Sequence, residues 1–180
     1  MSLFFDDASS ISEPFLRRAA SIAALGRGSV SPNPMVGCVL VRDGIVVGEG
    51  YHHQAGSPHA EALALEAAGE SARGATAYVT LEPCAHYGKT PPCANALVKA
   101  GVTRVVIGMR DPNPEVSGGG ADVLAAAGVE VVFAIDDAPY RQLNEAWLHR
   151  LATGRPFVRV KAALTLDGRP ALYASKRSRI

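Results

Sequence analysis

Strand-like and helix-like segments alternate along most of this sequence, and the alternation begins with a hairpin around the turn signal Asp43-Gly44. Period-two and apolar runs predict strands over residues 36–41, 45–48, 75–81, 102–107 and 129–134. Helical periodicity and end signals predict helices over residues 13–26, 59–68, 92–100, 122–127 and 138–153. Because helices that connect strands must cover the faces of the sheet, we expect an α/β fold. It would be a three-layer α/β/α sandwich with a mixed central sheet of about five strands.

The last part of the sequence departs from this alternation. Gly154-Arg155-Pro156 interrupts the pattern, and residues 157–164 are predicted to form one more strand. No further helix or strand is predicted after it. We therefore expect a main domain over residues 1–152 and a short separate segment over residues 153–180.

The charge balance and the N-terminus argue against two classes of partner. The chain has 180 residues, with 18 Lys and Arg against 17 Asp and Glu, so a nucleic-acid or membrane-surface role has little electrostatic support. Residues 1–12 contain neither a secretory signal nor a long apolar span. We expect a cytoplasmic protein that binds neither nucleic acid nor membrane.

One histidine and two cysteines indicate a metal centre. Three cysteines are an odd and sparse set for disulfides, whereas His59 and Cys93 fall at predicted helix starts, and Cys84 follows a predicted strand. Two thiolates and an imidazole suit Zn²⁺, and three protein ligands leave a fourth position for water, as in catalytic sites. We predict that His59, Cys84 and Cys93 bind zinc. Glu61, two residues after His59, is predicted to move protons and not to bind the metal.

Two other interpretations of this set stay open. Cysteines are common in protein cores, so Cys84 and Cys93 could be buried apolar side chains while His59 caps a helix. A structural zinc site would need a fourth protein ligand, for which His86 is the candidate. Cys38 lies in an apolar run and is predicted to be a core residue without a chemical role.

The order of these residues matches the signature of zinc-dependent deaminases, His-x-Glu followed by Pro-Cys-x-x-Cys, except that eight residues separate the cysteines here. The long stretch from Pro83 to Cys93 resembles the deaminase domain of the bacterial riboflavin-biosynthesis protein RibD. The resemblance covers most of residues 13–150. Its other segments are Asn33-Pro34 with Val36-Gly37-Cys38-Val39, Gly48-Glu49-Gly50-Tyr51-His52, Tyr78-Val79-Thr80-Leu81-Glu82 and Asp111-Pro112-Asn113-Pro114.

This resemblance implies a cytidine-deaminase-like fold, a zinc cofactor and a role in riboflavin biosynthesis. The implied reaction is the hydrolytic deamination of 2,5-diamino-6-(5-phosphoribosylamino)pyrimidin-4(3H)-one to 5-amino-6-(5-phosphoribosylamino)uracil and ammonia. Glu61 would protonate first a ring nitrogen and then the departing amine. The resemblance also suggests a homo-oligomer.

Four residues are candidates for binding the substrate. Asn33 and His52 match family positions near the base and the ribose, while His86 and Lys89 lie on the insert and suit a phosphorylated sugar. Asn33 could instead only form a turn, and the insert could be a solvated loop.

Residues 157–169 resemble the first strand and loop of the reductase domain that follows in bifunctional relatives, but residues 174–180 depart from that pattern. A single strand cannot bind a dinucleotide, so we expect no reductase activity from this chain. A further domain or a separate protein would supply that step. The competing functions are another nucleoside, nucleobase or tRNA deaminase, which predicts a short cysteine spacing, and a catalytically silent zinc-binding module.

Overall fold

The central sheet has five strands in the computed structural model, which describes residues 14–85, 92–113, 119–164 and 168–169. The strands are β1 (Gly37–Arg42), β2 (Ile45–Tyr51), β3 (Thr76–Val79), β4 (Arg104–Ile107) and β5 (Glu130–Phe133). Their order across the sheet is β2-β1-β3-β4-β5. β1 pairs antiparallel with β2 and β3, whereas β3, β4 and β5 run parallel. The predicted mixed sheet is confirmed.

Helices cover both faces of this sheet. The α-helices of the described ranges are α1 (Pro14–Ala23), α2 (Ala60–Ala68), α3 (Cys93–Lys99), α4 (Gly120–Ala126), α5 (Ala138–Leu143) and α6 (Glu145–Thr153). On one face, α2, α3 and α4 share an apolar cluster with the sheet that includes Ala64, Leu97 and Leu124. On the other face, Leu16 of α1 and Tyr140 of α5 pack with the sheet, and α6 packs beside them. The three-layer α/β/α architecture is therefore confirmed. No helix in the described ranges has the length and apolar character needed to cross a membrane.

Small residues allow α2 to lie directly on the edge strand β2. The alanines that α2 buries are Ala60, Ala64 and Ala68, one on each successive turn. Gly50 of β2 lies against the first of them, and a Cβ atom added to Gly50 would be 2.6 Å from the carbonyl oxygen of Ala60. A larger residue at position 50 would displace the start of α2. This start carries His59 and Glu61.

The two terminal helical predictions need correction. The helix predicted over residues 13–26 ends as an α-helix at Ala23 and continues as a 3₁₀ turn over Ala24–Gly26. The single helix predicted over residues 138–153 is two helices that meet at Asn144, whose φ and ψ are −104° and 20°. Asn144 is buried and its amide is bonded to the backbone of Met35, and this long-range contact coincides with the break.

The strand predicted over residues 157–164 is wrong. The described residues form no strand there, and no strand of the described sheet pairs with them. Val158 and Val160 are 76% and 85% exposed. The segment is instead attached to α6, since Arg159 forms an ion pair with Glu145 at 2.7 Å. The division of the chain near residue 152 stays a prediction.

Candidate active site

The fold brings together the three residues predicted to bind metal. The Nδ1 atom of His59 lies 3.6 Å from Sγ of Cys84 and 3.3 Å from Sγ of Cys93, and the three ligand atoms all lie within 4.8 Å of one another. Tetrahedral zinc, with Zn–N near 2.1 Å and Zn–S near 2.3 Å, places such atoms about 3.6 Å apart. The donor set and its spacing therefore fit a zinc ion.

Two helix starts and one loop position these ligands. His59 directly precedes α2 in an extended conformation, and Cys93 is the first residue of α3. The amide of Cys93 donates a hydrogen bond to the Cys84 sulfur at 3.4 Å, and the amide of Ala94 donates to the Cys84 carbonyl at 3.1 Å. The first amide groups of α3 therefore hold Cys84 beside Cys93, and they stabilise negative charge on its sulfur.

The two sulfurs differ in how readily they lose a proton. The hydrogen bond from the Cys93 thiol, with a smaller contribution from His59, lowers the pKa of Cys84 to about 4. The same hydrogen bond, together with burial, raises the pKa of Cys93. At neutral pH the pair thus contains at least one thiolate, which is the form that binds metal.

Glu61 lies in the first turn of α2 and is only 3% exposed. Burial raises the pKa of its carboxyl group, and the negative charge of Cys84 raises it further. A carboxyl group with a raised pKa takes up and releases protons nearer to neutral pH. Glu61 also lines the open cleft beside the three ligands, so its environment suits proton transfer to a bound molecule.

Asn33 and His52 are hydrogen bonded to each other at the edge of the same cleft. Nδ1 of His52 lies 3.1 Å from the carbonyl oxygen of Pro58, which can only accept, so Nδ1 carries a proton. Burial lowers the pKa of His52, which favours the neutral ring with Nε2 as an acceptor. The Asn33 Nδ2 group, 3.0 Å away, therefore donates to Nε2. This leaves the Oδ1 atom of Asn33 as an acceptor for other groups.

His86 and Lys89 lie outside the described residues. Among the residues that the structure does describe, no fourth His, Cys, Asp or Glu joins the cluster of His59, Cys84 and Cys93. Cys38 is fully buried in the main apolar cluster, as predicted for a core residue.

The cleft beside the ligands has a volume of about 680 Å³. Its lining residues in the described ranges are Pro32, Asn33, Pro34, Val36, His52, His59, Ala60, Glu61, Leu81, Glu82, Cys84, Asp111, Asn113, Trp147, Arg150, Leu151 and Gly154. Besides the expected residues, one wall comes from α6 and another from the loops that follow β3 and β4. Apart from Cys84, the residues of these walls have no role predicted from the sequence.

Glu82 is one functional candidate that sequence reasoning missed. Its carboxylate is buried, accepts the amide of Ala121 at 3.0 Å and accepts the amide of Asp111 at 3.4 Å. Glu82 directly precedes Pro83-Cys84, so these two hydrogen bonds hold the start of α4 and the loop after β4 next to the cysteine motif. A charged residue at the end of a predicted strand, directly before the cysteine motif, was the available signal.

Comparisons with known proteins agree with this geometry. Residues 9–109 match the family model described as the cytidine and deoxycytidylate deaminase zinc-binding region. The riboflavin biosynthesis protein RibD of Haemophilus influenzae is 53% identical over 162 residues, which are 90% of this chain and 44% of that protein. This chain therefore spans less than half the length of that relative.

Two solved structures are similar over most of the chain. A RibD of Acinetobacter baumannii has a TM-score of 0.78 and 52% identity, over 91% of this chain and 45% of that one. The diaminohydroxyphosphoribosylaminopyrimidine deaminase/5-amino-6-(5-phosphoribosylamino)uracil reductase of Thermotoga maritima has a TM-score of 0.80 and 46% identity, over 86% and 45%. These similarities confirm the resemblance to RibD. The zinc-binding match and the geometry of the site together show that the chain belongs to the cytidine and deoxycytidylate deaminase family.

Proposed function

We propose that this chain catalyses the zinc-dependent hydrolytic deamination of 2,5-diamino-6-(5-phosphoribosylamino)pyrimidin-4(3H)-one. The observation that carries the proposal is the meeting of His59, Cys84 and Cys93 beside the buried Glu61 in one open cleft. The choice of substrate is supported by the Thermotoga maritima relative, which is 46% identical and whose name contains this deaminase activity. The long cysteine spacing supports it as well.

His59, Cys84 and Cys93 would hold the zinc ion. When bound, zinc supplies a Lewis acid that makes water acidic enough to act as a nucleophile near neutral pH. The 3.3 Å and 3.6 Å separations between the His59 nitrogen and the two sulfurs support this assignment. The match to a zinc-binding family model supports it too.

Glu61 would move the protons of the reaction. Water adds its oxygen to the ring carbon that carries the amino group, and the amino nitrogen leaves as ammonia. Glu61 accepts a proton from the water and delivers it to a ring nitrogen; it then takes the proton of the added hydroxyl group and passes it to the departing amine as the carbonyl forms. Its burial and raised pKa support this role, because the group must both accept and donate within one turnover.

Asn33 and His52 would orient the base and the ribose. The Asn33 to His52 hydrogen bond supports this, since it fixes the acceptor Oδ1 of Asn33 at the cleft. The roles of His86 and Lys89 toward the phosphate are supported by the family resemblance alone.

Partners and location follow from the same proposal. The partner is a small phosphorylated pyrimidine, and we assign to this chain only the deaminase half of the two activities named for the Thermotoga maritima relative. The reductase step would come from a further domain or another protein, and the chain would form homo-oligomers. The reduced thiols that the zinc site requires support a cytoplasmic location.

Ammonia release from a panel of amino-pyrimidines tests the proposal. The zinc-loaded protein should release ammonia from the diaminopyrimidine phosphate and far less from cytidine or deoxycytidine monophosphate. Glu61→Gln should keep one zinc per chain and lose about 10²- to 10⁴-fold in kcat. Glu66→Gln, exposed on the same helix, is the matched control and should behave like the wild type. Full activity of Glu61→Gln, or a preference for cytidine, would contradict the proposal.

A further inference from the structure

The carboxylate of Glu82 joins two segments that are far apart in the sequence. One of its oxygens accepts the amide of Ala121, the second residue of α4, and the other accepts the amide of Asp111 in the loop after β4. The backbone amide of Glu82 donates to the carbonyl oxygen of Met109 at 2.9 Å. Glu82 therefore binds this loop through both its backbone and its side chain, and it holds α4 beside the loop.

Burial makes the two side-chain hydrogen bonds necessary. Glu82 is 5% exposed, and a buried carboxylate without partners is strongly destabilising. None of the ion pairs among the described residues includes Glu82. In that part of the chain its charge is stabilised by backbone amides and not by lysine or arginine side chains. Because each amide is fixed to its own segment, the carboxylate constrains where both segments lie.

Gly120 shows how closely α4 approaches the cysteine motif. A Cβ atom added to this glycine would lie 1.8 Å from the carbonyl oxygen of Pro83 and 2.9 Å from its carbonyl carbon. At these distances only glycine fits without a shift of the backbone. The start of α4 is therefore placed by two independent contacts, one with the side chain of Glu82 and one with the backbone of the residue before Cys84.

The loop that Glu82 holds is a wall of the active-site cleft. Asp111 and Asn113 line the cleft together with Glu82 and Cys84, and we call residues 111–113 the 111–113 wall. Oδ1 of Asp111 accepts the amide of Asn113 at 2.9 Å, which fixes the short turn between them. Since the amide of Asp111 is bonded to Glu82, the carboxylate of Glu82 sets the distance between this wall and the metal ligands.

The metal ligands themselves depend on other contacts. The sulfur of Cys84 accepts the amide of Cys93, the first residue of α3, and His59 is placed by the start of α2. Neither arrangement uses the carboxylate of Glu82. A change confined to this carboxylate should therefore move the wall and leave the three ligands in place.

We propose that Glu82 is a positioning residue for the substrate. Through two backbone amides its carboxylate holds the 111–113 wall at the distance from the metal centre that the pyrimidine requires. This inference rests on the proposed function. Glu82 acts through the wall and transfers no proton, since each of its oxygens is bonded to a backbone amide. Its loss should weaken substrate binding and leave metal binding unchanged.

Steady-state kinetics of two Glu82 variants test this inference. Glu82→Gln keeps the size of the side chain but only one acceptor oxygen. Glu82→Asp keeps the charge and both oxygens, but it is one methylene too short to reach both amides. Both should raise KM for the diaminopyrimidine phosphate about tenfold, with kcat within about threefold, because the wall faces the substrate before and during the reaction alike. Glu70→Gln, exposed and outside the cleft, is the matched control and should have the KM of the wild type.

The cobalt-substituted proteins give a readout that does not depend on turnover. Co²⁺ bound by thiolates absorbs light through sulfur-to-metal charge transfer, and this spectrum changes when the ligands move. The spectrum and the metal content should be the same in the wild type and in both Glu82 variants. A role of Glu82 in supporting the metal ligands would change them.

Three results would overturn the inference. The first is a wild-type KM in Glu82→Gln with only a lower melting temperature, which would make the carboxylate merely structural. The second is an altered cobalt spectrum or lost metal, and the third is a wild-type KM in Glu82→Asp, which would assign the effect to charge. If Glu82→Gln does not fold, Glu82→Asp decides by the same criteria. In each case ammonia release by the wild type leaves the proposed function intact, whereas no release from the wild type would overturn both.

Discussion

The three cysteines lie in two environments that predict different behaviour. Cys38 is fully buried in β1 within the main apolar cluster, and burial raises the pKa of its thiol well above the ordinary value. Cys84 and Cys93 face the His59 ring, and the pKa of Cys84 is lowered to about 4. Cys93 shares a hydrogen bond with Cys84, and both sulfurs lie beside the Nδ1 atom of His59, whereas Cys38 is not part of that cluster. The positions of the three ligand atoms therefore assign zinc to Cys84 and Cys93.

Single alanine substitutions should separate these environments. Cys84→Ala or Cys93→Ala should reduce bound zinc from about one ion per chain to nearly none, because two protein ligands hold zinc weakly. Cys38→Ala should keep one zinc per chain and lower the free energy of unfolding by about 1 kcal/mol through lost packing. Metal analysis and urea denaturation measure both effects. Loss of zinc in Cys38→Ala at unchanged folding would contradict the assignment.

The metal ligands were predictable from the sequence, whereas their supporting contacts were not. His59, Glu61, Cys84 and Cys93 have unusual chemistry and a recognisable spacing, so residue type alone points to them. Glu82 has neither, since a carboxylate next to a strand is normally solvated. Its role depends on two backbone amides, at positions 111 and 121, that become its neighbours only in the folded chain.

At the scale of elements, the junction of α5 and α6 fixes the loop that carries Asn33. Asn144 is 2% exposed; its Oδ1 accepts the amide of Met35 at 2.8 Å, and its Nδ2 donates to the Met35 carbonyl at 3.0 Å. One residue further on, the carbonyl of Val36 accepts the amide of His52 at 2.9 Å. The helix break therefore positions the loop that supplies Asn33 and contacts His52.

Removing the side-chain amide of Asn144 should weaken both folding and substrate binding. Asn144→Ala leaves two backbone groups of Met35 without their partner, which should lower the free energy of unfolding by about 2–4 kcal/mol. It should also raise KM by loosening the Asn33 loop, with zinc content unchanged. Asn144→Asp keeps only the acceptor and should be intermediate. Gln142→Ala, exposed on α5, is the stability control. Wild-type stability of Asn144→Ala in urea would contradict this role.

The same junction shows why one helix was predicted where two exist. The apolar pattern over residues 138–153 continues without interruption, because both helices pack the same way against the sheet. The break is associated with a bond between Asn144 and a residue 109 positions earlier, which no local window contains. The wrong strand over residues 157–164 has a related origin: its apolar alternation is real, but a strand also needs a neighbour to pair with.

At the scale of the whole molecule, the layers could be predicted, but the cleft could not. Alternating strands and helices were enough to indicate a mixed sheet between two helix layers. In such folds ligands bind beyond the carboxyl ends of the parallel strands, where Cys84 follows β3 and Asp111 follows β4. The opposite wall comes from Trp147 and Arg150 of α6. Nothing in the helical pattern of the sequence shows which residues of that helix face the metal centre.

Metal binding should be linked to the stability of the whole chain. His59 is 25 residues from Cys84 and 34 from Cys93, so the three ligands converge only after the sheet and two helices have formed. Zinc therefore binds the folded chain far more tightly than the unfolded one, and at about 100 times Kd it adds about 2.7 kcal/mol of stability. For a domain of this size, the melting temperature should rise by about 5–10 °C over the protein in excess chelator.

Comparing zinc-dependent shifts between variants makes this a test of the site and not only of folding. Glu61→Gln should show the full shift, because its carboxylate is not a ligand, whereas Cys84→Ala should show almost none. The shift itself is compared, so any effect of a substitution on the chelated protein cancels. An equal shift in Cys84→Ala and wild type, measured by calorimetry with and without zinc, would mean that the stabilising ion binds elsewhere.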